Sequence, residues 1–297
     1  MNGENLRRVL KDPKLIAHRL YRDFYRKVIK NKGIDIMDKD WDNLLILDAC
    51  RYDLFSKVCT IDGELTNVIS SGSHTTEFLR QTFQGRQFND TVYISATPQL
   101  EWTGLTSTFY DVIQVWETGW DDKLGTVPPN EVCKAARAAA SEYPHKRLII
   151  HFVQPHFPFI GPTGKWLQKE MSIRSGIDGA NATLPSVWDS LEEGNISEDI
   201  VWDAYGENLE IVLDHVKGLI DELDGKTVLT SDHGNALGEY GLYGHPGQKA
   251  IKSLIYVPWL EIENGARRRI VAEAPTNSRS KMDQSELEQK LSDLGYK

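Results

Sequence analysis

Short apolar runs, each closed by polar or turn-forming residues, alternate along the chain with segments whose apolar positions fall three and four apart. The runs Leu44–Leu47, Thr91–Ser95, Val112–Val115, Leu148–Val153, Thr227–Leu229 and Leu254–Val257 read as strands. Several are apolar almost throughout, as strands covered on both faces are. Between them, Asp53–Cys59, Thr75–Phe83, Glu131–Ser141 and Asp199–Leu223 read as helices. In the last, Leu209, Val212, Leu213, Val216, Leu219, Ile220 and Leu223 form a core-facing stripe. A final short helix is expected over Ser285–Leu294. The alternation predicts an α/β fold, with a mostly parallel central sheet flanked by helices on both faces, in one domain over residues 1–297. Residues 161–200 are rich in Gly, Ser and Asn and poor in apolar pattern, and read as an irregular insertion or lid.

Charge modifies this picture at the N-terminus. Ten Lys and Arg against Asp12 and Asp23 lie between Arg7 and Lys32, a local +8 in a chain whose net charge is −9. Leu15, Ile16, Leu20, Phe24 and Val28 recur there at helical spacing, so residues 5–32 read as a basic amphipathic helix. Two fates are open to its charged face, simple solvation or contact with an anionic membrane surface or phosphate. The acidic remainder argues against a general nucleic-acid binder. No stretch nears the roughly 20 apolar residues of a membrane span. The opening residues lack the apolar core of a signal peptide, and three cysteines are too few for a disulfide scaffold. A cytoplasmic location is the resulting expectation.

Candidate chemistry gathers where strands end, the usual place for function in open α/β sheets. Leu44–Leu47 runs into Asp48-Ala49-Cys50-Arg51-Tyr52-Asp53, and Leu148–Val153 into Gln154-Pro155-His156-Phe157-Pro158. Thr227–Leu229 leads through Thr230-Ser231 to Asp232-His233-Gly234, with Gly238-Glu239 and Gly244-His245 beyond. Carboxylates and imidazoles together suit a divalent metal, Zn²⁺ or Mn²⁺ before Ca²⁺ or Mg²⁺. Any one of these residues alone reads as a cap or a satisfied core group; their concentration at strand ends is what points to a metal. Ser70-Ser71-Gly72-Ser73-His74-Thr75-Thr76 places hydroxyls at a helix start, where they serve as caps or as nucleophiles. Cys50 reads as a small buried residue. Trp102, Trp116 and Trp120 suit core packing or stacking on a sugar ring.

Thr230-Ser231-Asp232-His233-Gly234 with Gly238-Glu239, Gly241 and Gly244-His245 resembles the C-terminal metal motif of the sulfatase-like branch of the alkaline phosphatase superfamily. The helix from Tyr205 to Leu223 and Pro155-His156-Phe157-Pro158-Phe159 also resemble that branch, and the Asp48 entry resembles archaeal sulfatase-like proteins. The resemblance spans residues 44–260. It implies Asp48, Asp232 and His233 as metal ligands, with His156 and His245 on the substrate's anionic group or a second metal. Gly72-Ser73-His74-Thr75 is similar to the Gly-Thr-x-Thr segment of phosphoethanolamine transferases, which implies Ser73 as metal-bound nucleophile with Thr75 as runner-up. Arg51 is expected either to pair with an anionic oxygen or to salt-bridge to Asp53. The formylglycine segment Cys/Ser-x-Pro-x-Arg of sulfatases is not matched at Ser73 or Cys50, which favours a phosphate ester over a sulfate ester. The expected activity is a metal-dependent hydrolase or transferase acting on an anionic ester, glycan- or lipid-linked. A true sulfuric ester hydrolase, and a non-catalytic module binding anionic glycans or lipid head groups, are the alternatives.

Overall fold

The structure is a computed structural model that describes residues 21–173, 185–275 and 284–295, apart from 22, 26, 30 and 31. Its centre is a seven-stranded sheet built of β1 (Asn43–Leu47), β2 (Glu64–Ile69), β3 (Phe88–Ser95), β4 (Phe109–Gln114), β5 (Arg147–Phe152), β6 (Gly225–Thr230) and β9 (Tyr256–Asn264). The order is β2-β9-β6-β1-β5-β3-β4, and β9 runs antiparallel to both its neighbours while the other pairings are parallel. A two-stranded ribbon, β7 (Ala236–Leu237) with β8 (Tyr243–Gly244), stands outside it.

Both faces are covered, as the apolar strands demand. Leu45, Leu47, Ile150 and Leu229 face one core, packed beneath α1 (Tyr52–Val58), α3 (Pro129–Glu142) and α6 (Glu198–Ile220). Leu44, Ile46, Ile149 and Val228 face the other, beneath α2 (Thr75–Phe83) with its buried Phe78, Leu79 and Phe83. The α2 boundaries are those read from the sequence. Helix α6 starts at the Ser197 cap, whose side chain accepts from the Ile200 amide, and ends at Ile220 rather than Leu223.

Three expectations are corrected. Strand β2 was not anticipated: Glu-Leu-Thr-Asn-Val-Ile is a half-exposed edge strand and lacks an apolar run. The strand expected at Leu254–Val257 begins two residues later and extends to Asn264, Lys252–Ile255 being a helical turn. Pro258 within it reads as a strand breaker, yet its carbonyl accepts from Thr230 Oγ1 at 2.7 Å. The segment 161–200 is not irregular where it is described. It holds α4 (Pro162–Met171) and the capping-boxed α5 (Val187–Glu192), and residues 174–184 lie outside the described ones.

The basic N-terminal stretch is helical at its described positions between 21 and 32, the remainder lying outside the described residues. It docks through Tyr25, whose hydroxyl donates to Glu77 Oε2 at 2.7 Å, and Tyr21, whose hydroxyl accepts from the Ala250 amide at 2.7 Å. Residues 267–273 strap the opposite end of the sheet, where Arg267 pairs with Asp40 and Asp42 and Lys146 with Glu273. Helix α7 (Gln284–Asp293) packs Leu287 and Leu291 into the first core. No described helix is long and apolar enough to cross a membrane.

Candidate metal centre

Strands β6, β1 and β5 are adjacent and parallel, so their C-terminal ends bring Asp232, Asp48 and the residues around His151 to one edge of the sheet. Asp48, His151, Asp232 and His233 are all fully buried. The loop geometry that holds them is hydrogen-bonded in detail. Ala49 takes a left-handed φ of 58°, and its amide donates to Asp232 Oδ1 at 3.0 Å. The His233 amide donates to the same oxygen at 2.9 Å. Ser231 Oγ accepts from the Cys50 amide at 2.8 Å and donates to the His233 carbonyl at 2.5 Å. The Tyr205 hydroxyl, from α6, donates to the Ala49 carbonyl and accepts from the Arg51 amide. One oxygen of Asp232 is thereby fixed by backbone, and Oδ2 accepts no hydrogen bond among the described residues.

His233 is oriented in the same way. Its Nδ1 donates to the Gly234 carbonyl at 2.8 Å, so Nε2 of the neutral ring carries a lone pair. Burial, the dominant effect, pushes the pKa of this imidazole down to about 3. That lone pair lies 3.4 Å from Asp48 Oδ1, 3.4 Å from Asp232 Oδ2 and 3.2 Å from Thr75 Oγ1. Bonds of about 2.0–2.1 Å to a tetrahedral metal place its ligand atoms roughly 3.3–3.4 Å apart. Two carboxylate oxygens and an unprotonated nitrogen buried this close together repel, and a shared cation is what relieves them. The residues present therefore fit a divalent metal. Asp48, His151 and Asp232 form a second such group, their ligand atoms all within 4.8 Å of one another.

Thr75 is the first residue of α2, fully buried, and its hydroxyl is in this cluster. Ser73, two residues earlier, faces elsewhere: its Oγ donates to Glu77 Oε2 at 2.9 Å, and its amide donates to the same oxygen at 3.2 Å. The Lys249 amide donates to Ser73 Oγ at 3.3 Å. The geometry thus turns Ser73 towards Glu77 and brings Thr75, the runner-up, to the candidate metal ligands.

Arg51 turns its guanidinium away from the cluster. Nε and Nη2 grip Asp53 at 2.8 and 2.6 Å, while Nη1 reaches Glu239 at 2.6 Å and the Asn235 carbonyl at 3.1 Å. The cation also stacks on Trp202 at 4.9 Å. Of its two expected roles, the structure shows the ion pair with Asp53. It ties the end of β1 to the loop that leads to His245.

His156 and His245 complete the cluster. The His156 ring centroid is 4.8 Å from that of His245, which lies 4.9 Å from that of His233. His156 Nδ1 donates to the Phe157 carbonyl, and His245 Nδ1 donates to Asn235 Oδ1 at 3.0 Å, which leaves Nε2 as the basic nitrogen of each. The loop bearing His156 is fastened by Asn208 of α6. Asn208 Nδ2 donates to the carbonyls of His156 and Pro158 at 3.1 and 2.9 Å, and its Oδ1 accepts from the Ile160 amide at 2.7 Å. Trp116 is fully buried core, and Trp120 lies under the Lys290 ammonium at 4.3 Å.

Two site residues escaped the sequence reading. His151 lies within an apolar strand and belongs to no motif, though a histidine amid Leu, Ile and Phe was itself a signal. Asn208 sits on the polar break of the α6 stripe, one residue before Leu209.

Burial also holds His151 and His156 down, each to about 4. Below pH 6.5 the unfolded chain takes up protons at these two histidines and at His233 that the folded chain refuses. Their contribution to stability is full above that pH and is lost as pH falls towards 4. The melting temperature of metal-stripped protein is therefore expected to fall steeply from pH 6.5 to 4; a flat profile would contradict these surroundings.

No protein-family model and no curated protein matches the sequence. Solved structures are similar. The C-terminal periplasmic domain of phosphoethanolamine transferase EptC from Campylobacter jejuni is 13% identical with a TM-score of 0.48, over 78% of this chain and 82% of that one. The soluble domain of lipooligosaccharide phosphoethanolamine transferase A from Neisseria meningitidis is 14% identical with a TM-score of 0.46, over 74% and 75%. A protein in the alkaline phosphatase superfamily from Vibrio parahaemolyticus is 9% identical with a TM-score of 0.40, over 85% and 70%.

Proposed function

We propose that this protein is a metal-dependent hydrolase or transferase of an anionic ester, a phosphate ester before a sulfate ester, with Thr75 as its nucleophile. The observation that carries this reading is the spacing of Asp48, Asp232, His233 and Thr75, four buried side chains whose measured separations about His233 are close to the edges of a tetrahedral metal site. A divalent cation held there supplies Lewis acidity and lowers the pKa of a coordinated hydroxyl.

The chain's own groups do the rest. Thr75 Oγ1 forms a bond to phosphorus as the bond from phosphorus to the departing alcohol breaks, and α2 directs its N-terminal dipole at the incoming negative charge. Burial holds His156 and His245 neutral in the free protein, and the negative charge of a bound ester raises the proton affinity of Nε2, so that these rings can take the proton lost by the Thr75 hydroxyl and return it to the leaving oxygen. Water then releases the threonine ester in a hydrolase; a sugar or lipid hydroxyl does so in a transferase. A plain threonine hydroxyl needs no conversion to formylglycine, which is why the phosphate ester is preferred. Zn²⁺ and Mn²⁺ suit the mixed imidazole and carboxylate donors better than Ca²⁺ or Mg²⁺.

The test is turnover of aryl phosphate monoester, phosphodiester and sulfate by metal-stripped protein after return of each of the four metals. Phosphoester turnover restored by Zn²⁺ or Mn²⁺ is expected. Sulfate turnover alone would replace the substrate class, and failure to bind any metal would replace the enzyme with a binding module.

A further inference from the structure

His151 lies on β5, in the run Leu148-Ile149-Ile150-His151-Phe152, and is wholly buried. Its register partners are Ile46 on β1 and Ser95 on β3, and Ile46 lies two residues before Asp48. Cβ directions alternate along a strand, so His151 shares the face of Ile46 and Ile149, the face that carries α2 and Thr75. An imidazole in that position must find partners for two polar nitrogens or bear the cost of desolvating them. Nδ1 has one, the Tyr93 hydroxyl at 2.7 Å. Nε2 has no hydrogen-bond partner among the described residues. One ring nitrogen of His151 is nevertheless grouped with carboxylate oxygens of Asp48 and Asp232, all within 4.8 Å of one another, and Nδ1 is the nitrogen already engaged by Tyr93.

We propose that His151 is a protein ligand of the cation held between Asp48 and Asp232, and that Tyr93 is the positioning residue that fixes its ring. The proposal rests on the metal reading above and adds a donor that the sequence motifs do not include. The carboxylate pair then meets an imidazole nitrogen from each side of β1, His233 from the end of β6 and His151 from β5. Tyr93 is itself fully buried on β3 within an aromatic cluster, its ring centroid 4.9 Å from that of Phe109 and 6.0 Å from that of Phe83. That packing leaves its hydroxyl little freedom. With Nδ1–H donated to the Tyr93 oxygen, Nε2 presents its lone pair to the cation, the arrangement by which outer partners orient histidine ligands in metal sites. A second imidazole moves the donor set further from what Ca²⁺ and Mg²⁺ accept.

The competing account makes Nε2–H a proton donor towards a carboxylate, a role that leaves metal affinity nearly untouched. Zn²⁺ affinity, measured by competition with a chelating dye, and the visible bands of the Co²⁺-loaded protein separate the two. His151→Ala is expected to weaken Zn²⁺ binding by about 100-fold or more and to shift the Co²⁺ bands through loss of a nitrogen donor. Tyr93→Phe keeps the imidazole and the aromatic packing, and is expected to cost about 10-fold in affinity. Because His151→Ala opens a core cavity, His151→Asn serves as its folded counterpart, with circular dichroism as the check. Wild-type Zn²⁺ affinity and Co²⁺ bands in folded His151→Asn overturn the proposal. If Asp232→Asn loses Zn²⁺ in the same assay while the His151 variants retain it, the ligand assignment falls and the metal reading survives. Failure of the unaltered protein to bind Zn²⁺ or Co²⁺ removes both.

Discussion

Asp232→Asn is expected to lower Zn²⁺ affinity by at least about 1,000-fold and to abolish turnover, while the metal-free protein becomes no less stable. Both signs follow from the two oxygens of one side chain. Oδ1 accepts from the Ala49 and His233 amides at 3.0 and 2.9 Å, bonds that an asparagine carbonyl preserves. The amide nitrogen then takes the place of Oδ2, 3.4 Å from His233 Nε2, and aims two N–H groups where a cation would sit. A negative ligand is exchanged for a donor, so binding collapses. In the metal-free protein the same N–H groups relieve the crowding of two buried carboxylates against an imidazole lone pair. Isothermal titration with Zn²⁺ and thermal melts of the stripped protein test both halves. Zinc affinity within tenfold of the unaltered protein would place the cation elsewhere. Melts that fall by many degrees would mean that the charge of Asp232 is structural.

The part of this site that was legible in the sequence is the part written in local order. Asp48 and the Asp232-His233-Gly234 run stand at the ends of apolar strands, and β1, β5 and β6 are recognisable because both their faces are buried. Their adjacency in the order β6-β1-β5 is a property of the sheet, and it alone turns three strand ends into one cluster. Arg51 shows the limit from the other side. Whether its guanidinium holds a substrate or a protein carboxylate depended on Glu239 and the Asn235 carbonyl, both far along the chain. His151 was hidden because burial in an apolar strand gives a ligand and a satisfied core histidine the same sequence pattern; the difference lies in an Nε2 without a hydrogen-bond partner among the described residues and in the ring's nearness to Asp48 and Asp232. Strand β2 was hidden for the opposite reason, being an edge with few apolar residues. In each case the sequence carried residue type, and the packing carried direction.

Direction is also what separates the two candidate hydroxyls, and Thr75→Ala is expected to reduce turnover by about 10⁴-fold or more while Ser73→Ala stays within about tenfold of the unaltered protein. Ser73 and Thr75 stand on either side of His74, the N-cap of α2, where the backbone is extended at φ −156° and ψ 162°. The chain then enters the helix, and the two side chains part. Thr75 Oγ1 goes to His233 Nε2 at 3.2 Å, inside the group of Asp48 and Asp232. Ser73 Oγ goes to Glu77, which also takes the Tyr25 hydroxyl and the Gln248 amide and so holds the N-terminal helix and the loop after His245 to the start of α2. Loss of that one hydroxyl should cost about 1 kcal/mol of stability, the usual net worth of one hydrogen bond, with little effect on chemistry. Loss of the Thr75 hydroxyl removes, among the described residues, the hydroxyl that sits against His233 and that the proposed chemistry esterifies. Acid quenching during turnover should therefore trap a phosphorylated peptide containing Thr75 in the unaltered protein and in Ser73→Ala, and none in Thr75→Ala. A trapped ester on Ser73, or full turnover by Thr75→Ala, would return the nucleophile to the residue that the Gly-Thr-x-Thr resemblance first implied. The side chains at the start of α2 would then have to rotate on substrate binding, since Ser73 is turned towards Glu77 in this structure.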